Sequence, residues 1–128
     1  IHSLNVEFTD FISTEEKDRL LYYADIFTFP SLLEGFGMAM AEAQAYGVPV
    51  VCFNNSAMPY TIAHGESGYV TENGRPLPFA EAIIRIIEDR ELRDRLSDGA
   101  LRNAERQTTQ ADFEKEVACY FQGLTAHP

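Results

Sequence analysis

A chain of 128 residues, 45% of them apolar, is long enough to bury a core and reads as one domain. Its formal charge of -10 argues against a nucleic-acid partner and against an anionic membrane surface. Two cysteines are too few for a disulfide framework, and no signal peptide or bilayer-length apolar run is present, so a cytoplasmic setting is expected.

The first element is a short strand over Asn5–Phe8, with Val6 and Phe8 on one face. Ser13, with Glu16 three residues on, forms a capping box for a helix whose buried stripe is Leu20, Leu21 and Ala24. Next comes an apolar strand, Ile26–Phe29, closed by Pro30-Ser31. The stretch Leu33-Glu34-Gly35-Phe36-Gly37 then turns the chain into a helix that carries Met38, Met40, Ala41, Glu42 and Ala45 and ends at Gly47. A second apolar strand, Val48–Phe53, completes a βαβ unit. Gly35 and Gly37 allow a sharp turn and leave the helix-opening amides uncovered, a ready anion site with phosphate first among its ligands. Measured along a helix, Glu34 and Glu42 lie roughly 12 Å and roughly 80° apart, a span suited to holding both ends of one long ligand.

Downstream, Asn54–Tyr60 forms a loop, and His64–Gly68 is a turn that feeds a strand through Val70. His64 has no paired Cys, Asp or second His nearby and reads as a turn residue. Pro78 marks a helix start, followed by a stripe of Phe79, Ala82, Ile83, Ile86 and Ile87. Leu92, Leu96, Ala100 and Ala104 recur at helical spacing, with Gly99 as a weak point in the helix. Phe113, Val117, Tyr120, Phe121 and Leu124 line a last amphipathic helix that, unpartnered, would be exposed or self-associate. Cys52 and Cys119 both read as small core residues. Alternating apolar strands and helices predict an α/β fold, a Rossmann-like parallel sheet with helices on both faces. Ligands of such sheets bind beyond the carboxyl ends of the strands, where Ser31–Gly37 falls.

Glu34, seven residues, then Glu42, with Gly35-Phe36-Gly37 between and Gly47-Val48-Pro49-Val50 after, resembles the donor-site signature of retaining GT-B glycosyltransferases, the family 4 group in particular. The likeness runs from about Val6 to about Leu124. It implies that residues 1–128 are a nucleotide-sugar-binding C-terminal domain without its first βα units. The separate N-terminal domain that holds the acceptor would likewise be missing, leaving this chain inactive by itself. It further implies that Glu34 is catalytic, meeting the donor hexose, that Gly35, Phe36, Gly37 and Met38 bind sugar and phosphates, and that Glu42 takes the ribose hydroxyls. The donor would be a UDP- or GDP-sugar, with no metal and no other cofactor.

Two positions depart from the family. Asp10 stands where a glycine is usual, near the nucleobase, and either alters base contacts or caps a turn. Ser56, Ala57, Met58 and Tyr60 occupy a possible donor loop in which relatives show two glycines and, at the Tyr60 position, an acid. That change leaves open a silent nucleotide-sugar-binding module, or an epimerase or hydrolase on the same fold.

Overall fold

A computed structural model describes residues 4–32, 37–55 and 58–125, with the backbone alone at Met58 and over parts of the chain beyond Gln107. In chain order the elements are α1 (Thr14–Tyr23), β1 (Phe27–Phe29), α2 (Met38–Ala45), β2 (Val50–Phe53), α3 (Met58–Thr61), β3 (Gly68–Thr71), α4 (Pro76–Glu88) and α5 (Arg90–Thr125). The three strands are parallel and lie in sequential order, with Phe27 opposite Val50 and Val50 opposite Gly68.

The middle strand explains the layering. All four residues of β2 are buried, and alternate side chains of a strand face opposite ways. Val50 and Cys52 enter one cluster with Leu21 of α1, Met40 and Ala43 of α2, and Val48 and Ile62 of the connecting segments. Val51 enters the other with Ile86, Leu92 and Leu96, from α4 and α5, while Phe53 sets its ring 5.0 Å from that of Phe79. The chain is thus an α/β domain of Rossmann-like type with helices on both faces of the sheet. Truncating a fully buried anchor such as Leu96 to Ala costs about 2–5 kcal/mol in a core of this kind.

Several local expectations hold. Ser13 caps α1 by accepting from the Glu16 amide at 3.1 Å. The Glu16 carboxylate turns to Arg19 instead of back to Ser13, at 2.6 and 3.0 Å, so only half of the box forms. Helix α2 closes with Tyr46 at its C-cap and Gly47 at φ 73°, where the sequence put its end. Leu92, Leu96, Ala100 and Ala104 are all buried.

Other expectations are corrected. Residues 5–8 form no strand: Val6 is 60% and Phe8 95% exposed, and an alternating tetrapeptide with no neighbour to pair with gains nothing from extension. Leu20 is exposed, leaving Leu21 to anchor α1. Helix α4 begins at Pro76, two residues before Pro78, because a proline at the first helical position forfeits no hydrogen bond. Ile87 lies outside the α4 stripe and is exposed, as is Cys119 on α5. The stripe Phe113, Val117, Tyr120, Phe121 and Leu124 falls on α5, which is continuous from Arg90, but those side chains lie outside the described residues. Gly99 is no weakness: a Cβ there would stand 1.8 Å from the Glu66 carbonyl oxygen, so its missing side chain lets α5 cross the 63–67 turn.

Candidate functional site

The parallel strands end together at Phe29, Phe53 and Thr71, and the loops that follow form a rim at the carboxyl edge of the sheet. Asn55 ties this rim, donating from Nδ2 to the Ser31 carbonyl at 2.6 Å and to Asn73 Oδ1 at 3.2 Å. Its own Oδ1 is buried without a partner among the described residues. One side chain therefore joins the loops after all three strands.

From this rim α2 departs. Gly37 is its N-cap, at φ 75° and ψ 48°, a left-handed conformation that other residues rarely take. The Gly37 carbonyl accepts from the amides of Met40 and Ala41 at 3.1 and 3.2 Å. The amides of Met38 and Ala39 precede these, where a helix has no internal acceptor to offer, and no side chain caps them among the described residues. Gly37 itself is buried, whereas the Met38 side chain that follows it is 70% exposed. A helix terminus of this kind, carrying the positive end of the dipole, suits an anion.

Glu42 is the fifth residue of α2, little more than one turn from the corner. The helix begins at Met38, so the helical measure from Glu34 does not apply, and Glu34, Gly35 and Phe36 lie outside the described residues. The Glu42 carboxylate, about half exposed, takes the Lys17 ammonium of α1 at 2.9 Å. This hydrogen bond holds the Lys17 ammonium above the ordinary lysine range. Tyr46, one turn further on, is pushed up by burial first and then by its hydrogen bond with Asp18. Lys17 was not marked by the sequence, because a lysine on a helix surface gives no sign of which carboxylate it meets.

In the second loop, Ser56 and Ala57 lie outside the described residues and Met58 opens α3, while Tyr60 is 87% exposed. Below it, the Thr61 carbonyl accepts from Gln44 Nε2 at 3.1 Å, Asn103 Nδ2 at 2.9 Å and Gln107 Nε2 at 2.5 Å. Asn103 Nδ2 also donates to Gln44 Oε1 at 2.6 Å, a buried amide cluster that joins α2, α3 and α5. Asp10 is exposed ahead of α1. His64 is structural: its Nδ1 accepts from the Val70 amide at 2.9 Å, satisfying a donor of the edge strand. Among the described residues no three His, Cys, Asp or Glu side chains gather as a metal site, and no helix is long and apolar enough to cross a membrane.

A helix that starts at the carboxyl edge of a parallel sheet is shared by many nucleotide-binding folds, and comparison separates them. The family model described as "Glycosyl transferases group 1" matches residues 2–102. The chain belongs to this family. It is 37% identical over 99 residues to a D-inositol 3-phosphate glycosyltransferase of Nocardioides sp., covering 77% of this chain and 22% of that protein. Sucrose-phosphate synthase from Thermosynechococcus elongatus superposes with a TM-score of 0.83 at 22% identity, over 95% of this chain and 31% of that one. HepE from Anabaena, solved in complex with UDP-glucose, gives 0.73 at 24% identity, over 82% and 29%. This family member thus spans less than a third of each of these three proteins.

Proposed function

We propose that the chain supplies the donor half of a glycosyltransferase that moves a sugar from a nucleoside diphosphate sugar to an acceptor, with retention at the anomeric carbon. The observation that carries this reading is Gly37: left-handed at the N-cap, it opens α2 at the carboxyl edge of the sheet, with no side-chain cap on the first amides among the described residues. A diphosphate there meets N–H donors and the helix dipole, and Glu42 stands one turn on as an acceptor for ribose hydroxyls. That HepE, of similar fold, holds UDP-glucose supports the ligand class. Glu34, Gly35, Phe36 and Met38 take the hexose and phosphate contacts, and retention follows from the resemblance of the Glu34–Glu42 signature to retaining enzymes. The acceptor is held by a further domain of the natural protein, and the departing diphosphate needs cations that such a domain or upstream residues supply.

Titrating UDP and GDP into the full-length protein tests this, with Glu42→Ala beside the wild type. Loss of a charge-assisted hydrogen bond weakens binding by about 1.5–3 kcal/mol, roughly ten- to a hundredfold. Unchanged affinity removes Glu42 from the site. A second reading, a binding module without turnover, rests on the exposed Tyr60 where relatives carry an acid. Tight donor binding without transfer or hydrolysis by the full-length protein would favour it.

A further inference from the structure

We infer that Lys17 is a positioning residue for the nucleotide, fixing the Glu42 carboxylate before the ribose arrives. The inference rests on the donor-site reading of Glu42 given above. Helix α1 reaches β1 within three residues, so its opening turns lie toward the carboxyl edge of the sheet, beside the start of α2. Leu21 of α1 enters the same buried cluster as Met40 and Ala43 of α2, so the two helices cover one face of the sheet. Across this seam the Lys17 ammonium meets Glu42 Oε2 at 2.9 Å. Asp18 and Tyr46 also lie within electrostatic reach of Lys17 and are hydrogen-bonded to each other, so the cation sits between two acidic groups and a phenol.

The chemistry follows from the donor count. A glutamate has three side-chain torsions to freeze, and a half-exposed one samples many rotamers until something selects one. Lys17 selects one through Oε2. An ionised carboxylate offers about four lone-pair positions, so a single ammonium leaves acceptor capacity for hydroxyl donors. A ribose then finds an ordered acceptor and meets less of the ordering cost itself, which is the benefit of preorganisation. The contribution is uniform for ground and transition states, so it acts on KM and leaves kcat alone.

The test compares UDP and GDP with their 2′,3′-dideoxy forms, on full-length wild type, Lys17→Met, Lys17→Arg, Glu42→Ala and the Lys17→Met/Glu42→Ala double variant. Met keeps the aliphatic stem and deletes the charge. For a half-exposed pair the expected loss in Lys17→Met is about threefold to fivefold for the ribonucleotide. Little or no loss is expected for the dideoxy form, and Lys17→Arg should restore most of the ribonucleotide affinity. KM for the sugar donor should rise by the same factor at constant kcat, and the charge deletion should have no effect once Glu42 is Ala. Equal weakening of ribo and dideoxy forms would reveal a general electrostatic or folding effect and overturn the inference. So would unchanged or tighter binding, the latter marking Lys17 as a competitor. If Glu42→Ala itself leaves ribose discrimination intact, or neither diphosphate binds the wild type, the donor-site reading fails, and the inference with it.

Discussion

Gly99 offers a test in which helix propensity and packing demand opposite signs. Replacing a glycine inside a helix by alanine gains about 1 kcal/mol from reduced backbone freedom in the unfolded chain. Against that, the new Cβ would lie 1.8 Å from the Glu66 carbonyl oxygen, and 2.6 Å from its carbon. Ordinary contact begins near 3.4 Å, and the obstacle is backbone, not the end of a flexible side chain, so α5 must retreat by about 1.5 Å. The neighbours Leu96, Ala100 and Asn103 are buried and would move with it. Overpacking of this kind costs about 1–3 kcal/mol and sometimes more, and a rigid obstacle puts it at the upper end. The net expectation is a loss of about 2 kcal/mol. For 128 residues the unfolding entropy is about 0.27 kcal/mol/K, which converts the loss to a fall of about 7 °C in Tm. Urea unfolding gives the same quantity as a shift in midpoint at constant slope. Gly123, in the same helix with nothing within 4 Å of an added Cβ, is the control, and its alanine variant should be neutral or slightly stabilised. A Gly99→Ala protein as stable as the wild type would refute the close crossing of α5 over the 63–67 turn.

Four further outcomes follow from the site, the core and the surface. Gly37→Val places a branched side chain on a backbone at φ 75° beside the first amides of α2, so transfer should vanish while cooperative unfolding survives, read by activity beside circular dichroism. Glu34→Gln keeps shape and deletes charge; kcat should fall roughly a hundredfold with nucleotide affinity within a few-fold, and wild-type kcat would sink the catalytic assignment. Burial raises the Cys52 thiol from 9.0 to about 11, so its proton is held more tightly in the folded chain than in the unfolded one. This contribution to stability is intact below pH 9 and lost between pH 9 and 11, where the unfolded thiol ionises first. The loss amounts to about 2–3 kcal/mol, absent from the difference curve of a Cys52→Ala variant. A thiol reagent at neutral pH should modify the exposed Cys119 alone until the chain is unfolded.

The parts of this fold that were legible in the sequence are those in which local pattern and tertiary packing agree. The continuous apolar run at Val50–Phe53 announces a strand covered on both faces, and the structure divides it between two clusters. Gly37 and Gly47 bracket α2 because both positions need a positive φ, which a sequence displays openly. Legibility failed where the decisive neighbour is distant in the chain. Val6 and Phe8 alternate as a strand should, yet alternation forms a strand only beside a partner. Gly99 carried a helix penalty in the sequence, and its reason for being there is a carbonyl 33 residues earlier. The rim clasp by Asn55 and the ion pair of Lys17 with Glu42 join side chains 18 to 25 positions apart, beyond the reach of any periodicity. Pro30-Ser31, Glu34-Gly35-Phe36-Gly37, Glu42-Ala43 and Gly47-Val48-Pro49-Val50, taken in that order, carried the family, and the comparisons bear that family out.

The amides converging on Thr61 have a consequence for how such a domain changes over generations. The segment that precedes Thr61 carries Ser56, Ala57 and Tyr60, where the resemblance to the family leads one to expect two glycines and an acid. Its downstream end is moored to one carbonyl held by α2 and α5 together, through three side chains from Gln44, Asn103 and Gln107. A chain fixed so firmly at its exit can exchange the residues ahead of that point without transmitting the change to the core. Mutation can therefore alter the residues ahead of Thr61 while selection for folding bears on the mooring. The arrangement separates a segment of the rim from what keeps the domain folded, and lets the first drift at little risk to the second.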